Sequence, residues 1–144
     1  TAAGLLADTG RRNTGIGAFS LYEIANGNDN TAIGYQSLNN DSSGSFNTAI
    51  GYSALSNNII YSGKTAIGYE AMFNDTANSL QTAVGYRALR NNRFGRFNTA
   101  IGYEALQNNG QGTPGFATDA SVNTAVGMQA LYLNTLGFNN TAIG

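Results

Sequence analysis

Two glutamates recur in step with a repeat of this sequence, and they are the residues best placed for acid–base chemistry. Glu70 and Glu104 hold the same position in a 17-residue unit, two units apart, and Arg87 holds it in the unit between them. Stacked at strand spacing, two units would separate the carboxylates by roughly 9–10 Å, which is near the carboxyl separation of inverting glycosidases. The alternative is an exposed Glu-Arg-Glu ladder of little energetic value. We predict the ladder, with no catalytic residue and no enzymatic activity.

Four arginines within one unit form a second candidate site. They recur every three residues, with two phenylalanines among them: Arg87, Arg90, Arg93 and Arg96. A basic and aromatic patch can bind acidic glycans or nucleic acid, but the net charge of −1 gives no indication of a nucleic-acid partner. Around a β-coil, residues three apart point in different directions. The alternative is therefore ordinary solvated side chains, with pairing to Glu70 or Glu104 of another chain.

An insertion of eight residues within 109–123 is the third candidate site, because the repeat resumes in phase after it. A solenoid tolerates a loop that leaves and rejoins the stack, and such loops often carry binding. The predicted contacts, to a ligand or to a neighbouring chain, are Gln111, Thr113, Phe116 and Asp119. A neutral surface bulge is the remaining alternative.

Metal and cofactor chemistry has little support in the sequence. The chain has no cysteine and no histidine, so thiolate and imidazole ligands are absent. Asp29, Asp41 and Asp75 lie in Asn-rich turns of the kind that can hold calcium, but no unit offers three clustered acids. We predict no metal and no cofactor.

The element that must position all these residues is the repeat itself. Its phrase Thr-Ala-Ile-Gly, or a close variant, begins at Thr14, Thr31, Thr48, Thr65, Thr82, Thr99, Thr124 and Thr141. Self-similarity at a fixed period is the mark of a repeat architecture, and 17 residues are too few for a helix pair but suit one coil of a β-solenoid. We number positions from the threonine and name the residues at position n of successive units column n.

The sequence thus predicts an all-β, parallel β-solenoid of 17-residue coils over residues 14–144, with residues 1–13 as an irregular first coil or junction. Only 10% of the residues are charged while 42% are hydrophobic and recur in register, which argues against disorder. No apolar run approaches the ~18 residues that span a membrane, and no signal peptide is visible. The chain lacks an initial Met and ends on the first residues of another unit, so we expect a piece of a longer protein.

Two columns are predicted to form the core. The strand phrase has period 2, so Thr, Ile and Tyr share one face while Ala and Gly share the other. The first core column, column 3, comprises Ile33, Ile50, Ile67, Val84, Ile101 and Val126. The second, column 8, comprises Leu38, Leu55, Met72, Leu89, Leu106 and Leu131. Each coil thus buries few large side chains, and each of them stabilises the fold by roughly 1.5–3 kcal/mol. Ordering the backbone costs ~1–2 kcal/mol per residue, so a single chain is expected to be only marginally stable.

The face of small residues is predicted to be a close-packing stripe. It comprises Ala32, Gly34, Ala49, Gly51, Ala66, Gly68, Ala83, Gly85, Ala100 and Gly102. Glycine within a strand often marks close approach of another backbone, so we expect this stripe against another wall of the coil or against another chain. A tight bend at each coil corner is the alternative.

Asparagine fills two further regions of each unit, at positions 10–11 and just before the threonine. Such residues make tight turns, and stacked at strand spacing they can hydrogen-bond along the solenoid. We predict structural Asn ladders, interrupted where Lys64 and Gln81 replace Asn. Sugar binding by exposed amides is the alternative.

The phrase Asn-Thr-Ala-Ile-Gly-Tyr-x-Ala-Leu-x-Asn-Asn resembles the repeats of YadA-like trimeric autotransporter adhesin heads and of phage tail fibres. The resemblance covers residues 13–144. It implies a left-handed parallel β-roll in each chain and three rolls packed around an axis.

The predicted function is therefore a structural or adhesive segment of an extracellular trimeric fibre, on a cell surface or a virion tail. Its partners would be two further copies of itself, neighbouring fibre modules and a host-surface glycan or protein, with no nucleic acid and no membrane insertion. Two alternatives remain: a monomeric solenoid that binds a polysaccharide or an ice-like surface, and a polysaccharide-degrading fibre with a site between chains.

Overall fold

The computed structural model of the chain describes residues 9–77, 80–111 and 120–144. Within them the only regular elements are eight short strands, which form one parallel sheet in chain order. They are β1 (Thr14–Ile16), β2 (Thr31–Ile33), β3 (Thr48–Ile50), β4 (Lys64–Ile67), β5 (Gln81–Val84), β6 (Thr99–Ile101), β7 (Thr124–Val126) and β8 (Thr141–Ile143). The predicted all-β solenoid is confirmed, and none of the described segments is a helix that could cross a membrane.

The strands pair so that identical positions of the repeat lie side by side. Thr48 is the partner of Thr65, and Ala49 that of Ala66. Across the insertion the same register holds, since Thr99 is the partner of Thr124. One unit is therefore one coil of the solenoid, and every column of the sequence becomes a row of stacked side chains.

The solenoid begins before the first threonine. The backbone N–H groups of Thr9 and Gly10 both donate to the carbonyl of Ala25 at 3.0 Å, and Asp29 donates to Arg11 at 3.0 Å. Residues 9–13 thus already follow the coil above them, whereas residues 1–8 of the predicted junction lie outside the described part.

Each coil closes through turns in which non-glycine residues adopt the left-handed conformation. In the unit that begins at Thr65, Glu70 and Met72 have φ of 51° and 52°. The amide of Ala71 donates to Gly68 at 3.4 Å and that of Phe73 to Glu70 at 3.2 Å, which is the pattern of successive type II turns. Other amides in the turns bond to the next coil, so the ladder of backbone hydrogen bonds continues beyond the strands.

The core lies between the alanines of the strands and column 8. Ala32, Ala49, Ala66, Ala83, Ala100 and Ala125 are fully buried, as are Leu38, Leu55, Met72, Leu89 and Leu106. The prediction for column 8 is confirmed for these five, and the partly buried Leu131 packs against the same cluster. Small residues on the strand leave room for one large side chain per coil.

The prediction that column 3 belongs to the core is wrong. The strands turn Thr and Ile outward and Ala inward, so Ile33, Ile50, Ile67, Val84 and Val126 are half-buried and Ile101 is 41% exposed. The physical reason is the narrow coil: a 17-residue perimeter that already encloses Leu or Met has no space for a second large side chain.

The small-residue stripe divides into alanines that are buried within their own chain and glycines that are half-buried. Its alanines have no exposed surface in the single chain and pack in its core, so of the two predicted partners they contact another wall of their own coil and not another chain. Its glycines have φ between 129° and 135°, and a Cβ on Gly51 would lie 2.5 Å from the carbonyl oxygen of Gly68. They therefore form a corner bend at which successive coils of one chain touch.

Candidate functional site

A continuous stack of exposed tyrosines lies just beyond the ends of the strands, each one residue after a corner glycine. Successive rings are 5.1–5.2 Å apart between centroids and lie within 4–18° of parallel: Tyr35, Tyr52, Tyr69, Tyr86 and Tyr103. Phe19 extends the row, edge-on to Tyr35 at 5.9 Å. Since each inner ring has a neighbour on both faces, its edge is what it presents to solvent. A sugar ring that stacks on an aromatic needs a free face, so the row is poorly suited to carbohydrate stacking.

The tyrosines belong to a larger apolar surface, which we name the outer sheet face and define as columns 16, 1, 3 and 5. Column 1 is threonine, and column 3 is Ile or Val. Column 16 contributes large exposed side chains: Phe46 at 66%, Leu80 at 60%, Phe97 at 58% and Val122 at 53%. Its first two members are charged, but they pair with each other, Arg12 Nε to Asp29 Oδ1 at 2.5 Å. Sequence reasoning missed this face because it placed column 3 in the core.

The four arginines do not form one patch. Arg87 and Arg90 converge on one oxygen of Glu70, at 3.0 and 2.7 Å. The guanidinium of Arg93 lies over the ring of Phe94 at 5.3 Å, and the backbone of Arg96 donates to Ser121. Two arginines therefore pair with Glu70, but they do so within one chain, whereas pairing between chains was predicted.

The two glutamates have separate environments that do not suit an acid–base pair. Burial acts to raise the pKa of Glu70, but hydrogen bonds from Arg90 and Arg87 outweigh it, so the pKa lies below its usual value. A catalytic acid needs a raised pKa. Glu104 accepts a hydrogen bond from Gln129 at 2.9 Å. Within the predicted Glu-Arg-Glu ladder, Arg87 therefore bonds to Glu70, while Glu104 bonds to Gln129 of the next coil.

The solenoid is paired to the next coil on both sides of the insertion. Gly110 donates to the carbonyl of Asn134 at 3.1 Å, and Ala120 donates to Leu136 at 3.2 Å, so the coil is paired on both sides of the loop. Gln111 hydrogen-bonds through its side chain to the backbone carbonyl of Asn91. The other predicted contacts, Thr113, Phe116 and Asp119, lie outside the described residues.

Inside the coil, columns 11 and 17 form a buried amide network. In a typical pair of coils, Asn98 of column 17 and Asn109 of column 11 both donate to the carbonyl oxygen of Ala120, at 2.9 and 2.8 Å. The side-chain oxygen of Asn98 accepts from the amide of Asn123 at 2.8 Å. A half-buried amide ladder runs alongside in column 10, with contacts of 2.8–3.1 Å: Asn40, Asn57, Asn74, Asn91 and Asn108. The predicted Asn ladders are confirmed.

Three charged residues replace amides in this network, and all are fully buried. Lys64 Nζ lies 3.1 Å from Asp75 Oδ2 and 3.1 Å from Asn58 Oδ1. Gln81, the second interruption, donates to the same Asp75 oxygen at 2.9 Å. Asp41, in the coil that precedes that of Asn58 in the sequence, accepts from Gly44, Asn47 and Asn58. The sequence marked Lys64 and Gln81 as irregularities, but it gave no signal that column 17 lies opposite column 11.

Burial controls the titration of the two buried carboxyls. It raises the pKa of Asp41 above its usual value, because hydrogen bonds from Gly44, Asn58 and Asn47 offset only part of the desolvation. It raises the pKa of Asp75 too, although Lys64 and the surrounding donors act in the opposite direction. Both groups are therefore more easily protonated in the folded chain than in the unfolded one.

A pH series tests this directly. Where the folded chain binds more protons than the unfolded chain, the free energy of unfolding falls as pH rises. Asp41 should therefore make the chain less stable as pH rises from the usual aspartate pKa through its own raised pKa, and Asp41→Asn should flatten that slope in urea unfolding.

Asp29→Asn is the matched control for this series. A hydrogen bond from Arg12 lowers the pKa of the half-buried Asp29, so its small contribution to stability is lost as pH falls and has the opposite sign. Equal slopes in the native chain and in Asp41→Asn would contradict the assignment.

Comparison with known proteins adds nothing to this geometry, since no family model, curated protein or solved structure matches the chain. No group of three or more acidic, histidine or cysteine side chains that could hold a metal ion occurs among residues 9–77, 80–111 and 120–144.

Proposed function

We propose that this chain is a structural segment of an extracellular fibre in which three parallel copies associate through the outer sheet face. The segment would space or present surfaces that bind a host glycan or protein, on a cell surface or a virion tail. The resemblance of the repeat to adhesin heads and tail fibres suggested this function, and the trimer now needs a different contact surface from the small-residue stripe.

The observation that carries the proposal is the series of half-buried and exposed apolar side chains that the outer sheet face carries from Ile33 to Val126. Ile, Tyr and the large side chains of column 16 lie on it, and soluble monomers rarely leave so continuous an apolar surface open to water. Since all coils are in register, a parallel copy would meet the same column at every level. A cyclic arrangement of three copies would then bury this face in every copy, because a closed ring leaves none of the three contact surfaces unpaired.

Engineered cysteines test which face meets the other copies. The chain has no cysteine, so Ile67→Cys places a single thiol on the outer sheet face. In a parallel trimer the three introduced sulfurs would approach one another, and mild oxidation should link about two of every three chains as disulfide dimers on a non-reducing gel.

Ser43→Cys is the matched control, because Ser43 lies outside the outer sheet face. We expect its chains to stay single under the same oxidation. Dimers in Ser43→Cys but not in Ile67→Cys would refute the proposed face.

A second candidate is a monomeric solenoid whose flat face binds an ice-like or polysaccharide surface. The position of column 1 favours it: the threonines lie outward, in register and half-exposed, from Thr31 to Thr124. The stacking of the tyrosines argues against sugar as the ligand. This function requires a single chain in solution, which separates it from the fibre.

A further inference from the structure

The single lysine of this chain is among its most buried side chains. Lys64 is the only lysine in 144 residues, and no part of its side chain is exposed. Lysine is almost never fully buried unless it is paired, and in most other coils column 17 carries Asn. Such a position calls for a specific chemical reason.

The amine of Lys64, one side-chain amide and two carboxyls form a chain of direct contacts. Nζ of Lys64 is 3.1 Å from Oδ1 of Asn58 and 3.1 Å from Oδ2 of Asp75. On the other side of the same amide, Nδ2 of Asn58 is 3.1 Å from Oδ2 of Asp41. All four residues have no exposed surface.

The departures from the repeat converge on this one amide. Column 11 is Asn in most coils, but it is Asp at Asp41 and Asp75, the two neighbours of Asn58 in that column. Column 17 is Lys only at Lys64, the residue that reaches Asn58 from within the same coil. Three unusual residues therefore surround an ordinary one.

A buried ion pair explains only part of this arrangement. Lys64 balances Asp75, but the described partners of Asp41 are all uncharged: the amide of Gly44 at 2.6 Å and the side chains of Asn47 and Asn58 at 3.1 Å. An ionised carboxylate without a cation is costly in such a place. Protonation of the carboxyl removes that charge.

We propose that Lys64 and Asn58 join in an intramolecular isopeptide bond, with Asp75 as the general base and Asp41 as the general acid. The ammonium of Lys64 gives a proton to Asp75, which replaces a buried ion pair by two neutral groups. The neutral Nζ attacks Cγ of Asn58, one carbonyl bond length from the oxygen it already contacts. The Nζ–Cγ bond forms and the Cγ–Nδ2 bond breaks.

The protons balance without any further reactant. Asp41 protonates the departing Nδ2 and, now a carboxylate, accepts the second proton of the amine; the products are a secondary amide, ammonia and two protonated carboxyls. Burial raises the pKa of both carboxyls above the usual aspartate value, which moves each group in the direction that favours acid–base catalysis. The bond would close one coil covalently across its interior, from column 11 to column 17.

Mass spectrometry of the denatured 144-residue chain decides the matter. We expect a mass one ammonia below that of the sequence, about 17 Da, and no backbone fragment ions between Asn58 and Lys64. An amine-reactive label gives an independent readout, because the chain offers only its N-terminal amine and Lys64. Denatured chain should take up one label in the native sequence.

The double variant Lys64→Asn/Asp75→Asn is the matched control, since it restores the amides that the repeat carries elsewhere. It should have the full mass of its sequence. A deficit of about 17 Da that persists in it would be a succinimide at another asparagine and would overturn the proposal. So would an undiminished mass in the folded native chain, or a loss of one water, about 18 Da, which would indicate condensation with Asp75.

The general acid is tested by Asp41→Asn, which places in column 11 the residue found there in Asn92 and Asn109. We expect folded chain with a deficit that accumulates at least tenfold more slowly, in line with typical acid–base contributions of about 10²-fold or more. A deficit as fast as in the native sequence would remove Asp41 from the reaction.

Discussion

Gly51→Ala should lower the free energy of unfolding by about 3–5 kcal/mol. Gly51 has φ of 132°, a conformation that residues with a Cβ rarely adopt. The added methyl would lie 2.5 Å from the carbonyl oxygen and 2.7 Å from the carbonyl carbon of Gly68 in the next coil, and neither backbone atom can move without disturbing the stack. Urea unfolding followed by circular dichroism, at one protein concentration, measures the loss.

Gly144→Ala is the matched control for that substitution. Gly144 has a similar φ of 140°, but an added Cβ there would meet nothing within 4 Å. We expect a change of less than about 0.5 kcal/mol at this terminal residue. If both variants unfolded alike, the contact between successive glycines would not be what the corner requires.

Asn98→Ala should cost about 2–4 kcal/mol, the second large effect. Asn98 is buried, its Nδ2 donates to Ala120 at 2.9 Å, and its Oδ1 accepts the backbone amide of Asn123 at 2.8 Å. Alanine leaves that amide without its acceptor in a place that water does not reach, and it leaves a small cavity. The same unfolding experiment provides the number.

Asn108→Ala provides the comparison, because Asn108 also belongs to an amide ladder but is half-exposed. It accepts a hydrogen bond from Asn91 at 2.9 Å, which water can replace, so the expected loss is within about 1 kcal/mol. Equal losses in the two variants would show that burial of column 17 is not what makes its amides important.

The sequence predicted the coil length, the strands and the Leu column because each depends on register alone. A 17-residue period with threonine at position 1 fixes where strands pair, and in-register asparagines fix the ladders. The register across the insertion was predicted for the same reason, since the repeat resumes in phase and Thr99 pairs with Thr124.

The direction of the strand faces could not be predicted, because both faces are apolar. Hydrophobicity alone favoured Ile67 over Ala66 for the core, whereas the narrow interior of the coil has space only for the alanine. That width follows from left-handed turns at residues such as Leu55 and Met72. The conformation costs such residues about 1–2 kcal/mol, so their residue types do not predict it.

A related reason explains which contacts of the candidate sites the sequence could predict. The pairing of Arg87 with Glu70 follows from their shared column, so the sequence reached it. The contacts of Lys64 with Asn58 and Asp75 join two columns across the interior, and only the path of the turns brings those columns together.

The proposed association of three copies through the outer sheet face is tested most directly by the mass of the particle in solution. Light scattering at several protein concentrations should give about 45 kDa, three times the 15.0 kDa chain, with no decline on dilution. A folded particle of 15.0 kDa at every concentration would contradict the fibre and would leave the exposed threonine column as the surface on which to seek a ligand.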